Sequence, residues 1–94
     1  KPEFQRAIEM HARFLATNKS RRIAIDGHTD ERGGREYNLA LGQKRSEAVR
    51  RSLSLLGVSE TQVEAVSFGE EKPAVAGLTE EAFAKNRRVE ITYR

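Results

Sequence analysis

The segment from residue 36 to 56 constrains the fold of this chain more than any other feature. Its apolar residues recur at the three- and four-residue spacing of a helix with one apolar face. They are Leu41, Ala48, Val49, Leu53 and Leu56. Gly57 follows directly, as is typical of the left-handed residue that closes a helix. We therefore predict a long helix from Glu36 to Leu56 with these residues in its apolar stripe.

Two further helices are predicted, one on each side of this segment. Pro2 is tolerated in a first helical turn, and apolar residues at helical spacing then continue to near Asn18. Thr79 followed by two glutamates is typical of a capped helix start, because carboxylates in the first turn interact favourably with the helix dipole. This last helix is expected to be short and to end at about Lys85.

Three short runs of β-forming residues predict strands. The first is the run 23–25, which we expect to stop at Asp26-Gly27, and the second is the run 63–68, bounded by Gly69. The third, 88–93, alternates apolar and polar residues as a strand with one covered face does. The resulting order αβαβαβ favours an α+β fold in which helices cover one sheet. Core or core-edge positions are expected for Phe4, Phe14, Phe68 and Phe83.

Size and charge limit the classes of protein to which the chain can belong. Its 94 residues fit a single domain, 1–94, and 37% hydrophobic with 33% charged residues suffice for one modest core. With no cysteine in the sequence, neither a disulfide framework nor a thiol nucleophile is available. A formal net charge of +3 permits an anionic partner such as nucleic acid or a cell-wall polymer.

The loop 27–35, between the first strand and the long helix, combines charged residues with glycines that allow a ligand to approach the backbone. It follows the carboxyl end of a strand, where α/β folds tend to bind ligands. In the helix beyond it, Asn38, Leu41 and Arg45 are expected on one face, beside Gly42. An arginine that continues an apolar stripe needs a partner, and Asp30 in the loop is a candidate.

Two interpretations of Asp30 and Arg45 follow from the residues alone. The pair could be a structural ion pair that orients the loop. Alternatively, the two side chains could face each other across a crevice and bind a zwitterion, with the Asp on the ammonium and the Arg on the carboxylate. Backbone amides at the start of the helix would then add donors for the carboxylate. The spacing does not decide between these interpretations.

Several motifs of the chain resemble those of the OmpA-like peptidoglycan-binding family, and within it the peptidoglycan-associated lipoproteins. The matching segments are Gly27-His28-Thr29-Asp30-Glu31-Arg32-Gly33, Glu36-Tyr37-Asn38, Leu41-Gly42, Arg45, Val66-Ser67-Phe68-Gly69-Glu70-Glu71-Lys72-Pro73-Ala74 and Lys85-Asn86-Arg87-Arg88-Val89. They occur in the family's order over nearly the whole chain. The resemblance implies a non-catalytic domain of the Gram-negative cell envelope, on the periplasmic face of the outer membrane.

By this resemblance, Asp30 and Arg45 bind the side-chain terminus of meso-diaminopimelate in the peptidoglycan stem peptide. That terminus is a zwitterion, as the second interpretation requires. The resemblance also implies that further residues line or support the pocket, namely Thr29, Asn38, Leu41, Asn86 and Arg87. The family fold has a strand before the first helix, and proteins of this kind carry a lipidated cysteine and a linker. None of the three occurs in this sequence, so we expect a trimmed domain with an unpaired sheet edge.

Peptidoglycan-associated lipoproteins also bind TolB, a periplasmic β-propeller of the Tol-Pal system, on a surface that overlaps the peptidoglycan site. The resemblance thus implies a second, competing partner for this chain. Candidate contacts are Glu31, Arg32, Tyr37, Glu70, Glu71 and Lys72. The alternative function is a protein-interaction module that binds TolB without affinity for peptidoglycan.

Three other classes of function are weakly supported. His28, Asp30 and Glu31 are close in sequence, but the other histidine, His11, belongs to the first helix, so no metal or other cofactor is expected. The serines occur mostly in turns or on the exposed helix without a base and an orienting group, which argues against a hydrolase. Basic residues are interleaved with acids and lack stacking aromatics, so a solvated surface is favoured over nucleic-acid binding.

Overall fold

The computed structural model describes residues 2–94. The chain forms α1 (Pro2–Thr17), β1 (Ile23–His28), α2 (Arg35–Leu55), a 3-10 turn (Glu60–Gln62), β2 (Val63–Gly69), α3 (Glu80–Asn86) and β3 (Val89–Tyr93). The order αβαβαβ predicted from the sequence is confirmed. Among the described residues, no helix has the length and apolar character needed to cross a membrane.

The three strands form one mixed sheet in the order β2-β1-β3. β1 lies in the centre, parallel to β2 and antiparallel to β3. Parallel pairing requires a crossover, which α2 supplies between β1 and β2. Among residues 2–94, β2 and β3 each have one edge without a neighbouring strand. Because β1 and β2 are parallel, their carboxyl ends lie at the same end of the sheet, where the loop after β1 begins.

The apolar core lies between the sheet and the helices α1 and α2. Its buried members are Ile8, Ala12, Leu15, Ile23, Ile25, Val49, Leu53, Val58 and Val63, with Val89, Ile91 and Tyr93 of β3 packed against them. Leu15, Ile25 and Leu53 are fully buried, at 0% exposure. This core holds the sheet and α2 in fixed relative positions, so the loops at the end of the sheet start from a rigid base.

The buried face of α2 differs from the apolar stripe expected from the sequence. It consists of Asn38, Gly42, Ser46, Val49 and Leu53, whereas Ala48 is exposed and Leu56 is 43% exposed. Leu41 and Arg45 are half-buried beside this face. The physical reason is the close approach of α2 to the sheet, which selects small residues: a Cβ on Gly27 would overlap the carbonyl oxygen of Gly42.

The end of α2 agrees with the sequence prediction. Gly57 has a φ of 96°, its amide donates to the Ser54 carbonyl at 3.1 Å, and the amide of Val58 donates to the Leu53 carbonyl at 3.1 Å. These two bonds are those of a Schellman motif, which satisfies the last carbonyls of the helix. Val58 and Leu53 are both buried, so the same turn inserts an apolar residue into the core.

β1 is longer than expected, because it continues through Asp26 and Gly27 to His28. The amide of His28 donates to the Arg88 carbonyl at 2.8 Å, and the amide of Thr29 donates to the Gly69 carbonyl at 2.8 Å. Both neighbouring segments thus extend the pairing beyond the glycine at which the strand was expected to stop. This pairing fixes the backbone immediately before Asp30.

Candidate ligand-binding site

Asp30 lies in the loop that leaves the central strand, and it is 6% exposed. Its Oδ1 accepts hydrogen bonds from the backbone amide of Arg32 at 3.0 Å and from Nε of Arg32 at 3.2 Å. Its Oδ2 accepts from the guanidinium groups of Arg32 at 2.8 Å and of Arg87 at 2.9 Å. The hydrogen bonds from Arg32, and then that from Arg87, hold the pKa of Asp30 well below its usual range, so the buried carboxylate stays charged.

Four charged side chains form a closed ring, which we call the charge ring: Arg32, Asp30, Arg87 and Glu80. Arg87 bonds Glu80 at 2.6 Å as well as Asp30, and Arg32 lies 3.4 Å from Glu80. The hydrogen bond from Arg87 lowers the pKa of Glu80. The ring joins the loop after β1 to both ends of α3, so it holds three separate segments of the chain together at the edge of the sheet.

Arg45 does not bond Asp30. Its guanidinium donates to the backbone carbonyl of His28 at 2.8 Å. The structural Asp30–Arg45 ion pair considered from the sequence is therefore wrong, because Asp30 is already held by two other guanidinium groups. Among residues 2–94, Arg45 has no carboxylate partner.

A cavity of about 360 Å³ brings Arg45 together with Arg87. Its other lining residues are Phe4, Arg88 and Val89. Asp30 does not line the cavity, but its carboxylate accepts a hydrogen bond at 2.9 Å from Arg87, which does. The arrangement offers a guanidinium with unused donors, an apolar surface and a buried negative charge within one small region. Such a combination suits a ligand that carries both a carboxylate and an aliphatic stem.

Two residues expected at the site support the loop from beneath. Thr29 is 3% exposed, and its hydroxyl donates to the Asp30 carbonyl at 3.0 Å. Asn38, at 1% exposure, donates through Nδ2 to the Arg32 carbonyl at 3.0 Å and to a carboxylate oxygen of Glu70 at 2.8 Å. Neither lines the cavity, and neither does Leu41. Thr29 and Asn38 fix the path of the backbone on either side of Asp30.

Asn86 has a similar supporting position in a different loop. It is 5% exposed; its Oδ1 accepts from the amides of Ala74 at 2.8 Å and Val75 at 3.1 Å, and its Nδ2 donates to the Val75 carbonyl at 2.9 Å. The loop between β2 and α3 is thereby attached to the end of α3. Since Arg87 follows Asn86 directly, this attachment also orients the guanidinium that reaches Asp30.

The residues considered for a protein partner surround this region at the surface. Glu31 is exposed, Tyr37 is 65% exposed, and the Arg35 guanidinium bonds Glu71 at 2.7 Å. Lys72 is also exposed, and its ammonium lies 4.1 Å from the centre of the Phe68 ring. Arg32 places its guanidinium 4.5 Å from the centre of the Phe83 ring, and Glu70, already bonded to Asn38, is half-buried. Together they form a charged rim with one large exposed aromatic ring.

The sequence did not identify Phe4, Arg88, Val89 or Glu80 as parts of this region. Phe4 was expected at the core or its edge; it is 43% exposed and lines the cavity from the first turn of α1. Phe14 is likewise 39% exposed, while Phe68 and Phe83 are half-buried. A signal for Arg88 and Val89 was present, since both directly follow Arg87 in a matching motif. No local signal marks Glu80 or Phe4.

His28, the last residue of β1, is 2% exposed and its two ring nitrogens have no hydrogen-bond partner among the described residues. Its ring stacks on that of Phe68, with 5.4 Å between the ring centres. Burial, and then the charge of Arg88, lowers the pKa of His28. The imidazole is therefore neutral at pH 7.

A second cavity, of about 430 Å³, lies along the other end of α2. It is lined by Glu47, Arg50, Arg51, Ser54, Leu55 and Glu60. None of these residues was expected at the site, and none contacts the charge ring through a hydrogen bond or ion pair. Arg51 there is a useful reference for Arg45, because both are arginines of the same helix.

The fold and the matched motifs define the class of this protein: the chain belongs to the OmpA family, whose pattern matches residues 1–87. The relatives make the match more specific. The peptidoglycan-associated lipoprotein of Pseudomonas putida is 53% identical over 91 residues, which cover 97% of this chain and 54% of the relative. That of Pasteurella multocida is 48% identical, with 97% and 61% covered. The chain thus spans a little over half the length of these curated relatives.

Solved structures confirm the α+β fold of the OmpA family. The crystal structure of the peptidoglycan-associated lipoprotein from Burkholderia pseudomallei has a TM-score of 0.96 at 53% identity, covering all of this chain and 80% of that one. The C-terminal domain of MotB from Helicobacter pylori has a TM-score of 0.85 at 26% identity, covering all of this chain and 74% of that one. The same fold thus occurs in a wall-associated lipoprotein and in a MotB domain.

Proposed function

We propose that this chain binds the stem peptide of peptidoglycan without catalysing a reaction, and that it recognises the zwitterionic terminus of meso-diaminopimelate. One observation carries the proposal: Arg45, a guanidinium with no carboxylate partner in residues 2–94, shares a cavity with the arginine that bonds the buried Asp30. The two charges match the carboxylate and the ammonium of the ligand terminus. The names of the relatives support peptidoglycan as the source of that ligand.

The roles of the remaining residues follow from their positions. Arg45 would take the ligand carboxylate and Asp30 the ammonium, while Phe4 and Val89 would contact the aliphatic stem between them. Arg87 would hold Asp30 in place. Thr29, Asn38 and Asn86 support the loops through backbone hydrogen bonds, and Leu41 lies beside the site on α2. Binding of the stem peptide by these residues needs no cofactor.

We further propose that residues 1–94 are the wall-binding unit of a lipoprotein that anchors the outer membrane to peptidoglycan, with the domain on the periplasmic side. The relatives are named as lipoproteins, and this supports a lipid anchor in the full-length protein. A domain that binds peptidoglycan while its lipid lies in the outer membrane would tether the membrane to the wall. Cell-envelope integrity and division are the processes that such a tether would serve.

Isothermal titration calorimetry with a soluble stem tripeptide tests this proposal. We expect the tripeptide that ends in meso-diaminopimelate to bind and the tripeptide that ends in lysine to bind at least tenfold more weakly, because lysine lacks the terminal carboxylate. Arg45→Ala and Asp30→Ala should each abolish measurable binding while circular dichroism shows a folded domain. Arg51→Ala, in the same helix, should bind as the wild type does. Equal affinity for both peptides would overturn the proposal.

A protein partner of the TolB type is the second candidate function. The observation in its favour is the charged rim around the site, where Tyr37 is 65% exposed, since large aromatics often anchor protein interfaces. A pull-down with TolB, in the presence and absence of the tripeptide, separates the two functions. Capture of TolB by a domain that binds neither tripeptide would favour an interaction module alone. Release of TolB by the tripeptide would indicate that the two partners compete for one surface.

A further inference from the structure

Among residues 2–94, Arg32 makes the most hydrogen bonds to the carboxylate of Asp30. It donates to Oδ1 through its backbone amide and its Nε, and to Oδ2 through its terminal nitrogen at 2.8 Å. A guanidinium that bonds both oxygens in this way fills one whole edge of a carboxylate. Arg87 takes a further position on Oδ2. An incoming ammonium therefore finds no vacant edge on Asp30.

Arg32 and Arg87 differ in how readily they could leave Asp30. The side chain of Arg32 is 53% exposed and belongs to a surface loop, whereas that of Arg87 is 32% exposed and follows the helix α3 directly. Arg32 also has two other partners that it can keep: Glu80, at 3.4 Å, and the face of the Phe83 ring, at 4.5 Å. The Arg32 side of this ion pair is 53% exposed and the Asp30 side is 8% exposed. The released guanidinium therefore returns to water at modest cost, while the ligand ammonium replaces its charge on the buried carboxylate.

We propose that Arg32 is an internal competitor for the ligand: it occupies the edge of Asp30 that receives the ligand ammonium, and binding requires its displacement. This inference rests on the proposed function, since it names the route by which the ammonium reaches the same carboxylate. Arg32 thereby sets how much affinity the ammonium adds. A ligand with a carboxylate but no ammonium can use Arg45 and leaves Arg32 on Asp30.

Three domains and two peptides test the inference by calorimetry. The domains are the wild type, Arg32→Gln and Arg35→Gln, and all should be shown folded by circular dichroism. Arg35→Gln removes the same charge three positions further on, at the first residue of α2, but Arg35 pairs with Glu71 and not with Asp30. One tripeptide ends in meso-diaminopimelate, and the other ends in 2-aminopimelate, which keeps the terminal carboxylate and lacks the ammonium.

We expect Arg32→Gln to bind the diaminopimelate peptide roughly twofold to fivefold more tightly than the wild type, the range that corresponds to the modest net free energy of an ion pair with one exposed partner. The preference for diaminopimelate over aminopimelate should rise by the same factor. Arg35→Gln should leave that preference unchanged, and any effect it has on both peptides measures the loss of general charge attraction. Arg32→Lys, which keeps the charge but not the two-pronged contact, should fall between the wild type and Arg32→Gln.

The outcomes separate this inference from the proposed function. If the wild type binds and Arg32→Gln shows equal or weaker affinity with no gain in preference, Arg32 is not a competitor and the proposed function stands. If the wild type gives no heat and Arg32→Gln binds the diaminopimelate peptide, the competitor inference is supported in its strongest form. If neither binds, both the inference and the proposed function are overturned.

Discussion

Buried polar residues occur at both ends of the sheet, but they are held in different ways. Gln62, the last residue of the 3-10 turn before β2, is 2% exposed, and its side-chain Nε2 lies 2.9 to 3.1 Å from the backbone carbonyls of Leu15, Asn18 and Arg21. At the opposite end, Asp30 is held mainly by the side chains of Arg32 and Arg87. A backbone carbonyl cannot be replaced without unfolding the segment, whereas an exposed side chain can exchange its place with a ligand.

This difference separates structural polar contacts from functional ones. Gln62 also accepts from the amide of Ser59 at 3.2 Å, so its amide group bonds four backbone positions from three segments. The Nε2 group has two hydrogens for three carbonyls, so one hydrogen is shared. The contacts of Gln62 tie the end of α1 to the start of β2. Those of Asp30 instead form a ring of four charges that includes two exposed members.

The largest expected effect is at the Gln62 end. Gln62→Ala should lower the free energy of unfolding by about 2 to 3 kcal/mol, because it leaves buried carbonyls without donors. The affinity for the stem tripeptide should not change. Urea unfolding and calorimetry measure the two quantities. Gln43→Ala is the control, since half-buried Gln43 bonds Glu47 at the surface at 3.0 Å and has a single long bond of 3.4 Å to a backbone carbonyl, that of Ala65. A loss as large as that of Gln62→Ala would contradict the comparison.

Lowering the pH should reduce the free energy of unfolding through His28, which lies at the Asp30 end of the sheet. Its pKa in the folded state is lowered by burial and by Arg88 and Lys72, against the opposite effect of Glu90 and Asp26. The unfolded chain, with a His pKa of about 6.5, then binds a proton that the folded chain resists. Stability is therefore complete above about pH 6.5 and is lost as the pH falls from there toward the folded pKa, by at most about 1.4 kcal/mol per pH unit.

His28→Phe keeps the ring stacked on Phe68 and removes the titrating nitrogens. We expect the slope of unfolding free energy against pH between about 6.5 and 5 to become flatter in this variant. Urea unfolding at several pH values measures the slope, and the absolute stability of the variant does not enter the comparison. The same slope in both proteins would show that another group titrates in this range.

Asp30→Asn should have a smaller effect on stability than on binding. We expect a loss of about 1 kcal/mol in the free energy of unfolding, because both arginines keep access to water once the charge is gone. Binding of the tripeptide should be lost. Since the folded pKa of Asp30 is lowered, its contribution to stability is present above about pH 4 and disappears as the pH falls below it, so Asp30→Asn should remove that part of the acid sensitivity. A stability loss equal to that of Gln62→Ala would remove the distinction between the two ends.

The smallest change in the free energy of unfolding is expected at the charged rim. Arg35 pairs with Glu71 at 2.7 Å, but their side chains are 69% and 43% exposed. Arg35→Gln should change the free energy of unfolding by less than about 0.5 kcal/mol. Thermal unfolding at low and high salt measures it. A change above 1 kcal/mol would mean that the loop after β1 is held through its exposed charges as well as through Thr29 and Asn38.

Local features of the fold were predictable from the sequence, because their causes lie within a few residues. Gly57 closes α2 as expected, and the Thr79 hydroxyl accepts from the amide of Ala82 at 3.2 Å at the start of α3. The 3-10 turn was missed although Ser59 and Gln62 form a capping box that is readable in the sequence. The buried face of α2 was misassigned because the close approach of Gly27 and Gly42 is a tertiary contact that periodicity does not show.

In the site, too, some features were predictable from the sequence and others were not. Asp30 and Arg45 could be named as candidates, since a charged loop and an arginine in an apolar stripe are visible in the sequence. Their actual partners could not be named from spacing: Arg87 reaches Asp30 from 57 positions away, and Arg45 bonds a backbone carbonyl. Spacing gives no information on which of several arginines packs beside a given carboxylate. The three-dimensional arrangement of α3 decides it.

The contact between Gly27 and Gly42 has a consequence for how this domain folds. The two glycines flank the loop that carries Asp30, and they are near each other in the sequence, so bringing them together closes a short loop at modest entropic cost. Contacts of low sequence separation can form early and quickly. The two ends of the Asp30 loop would then lie close together early, whereas its final shape also needs the carbonyls of Gly69 and Arg88, which accept from Thr29 and His28. The ligand-binding edge would therefore be completed late, by the last helix and strand of the chain.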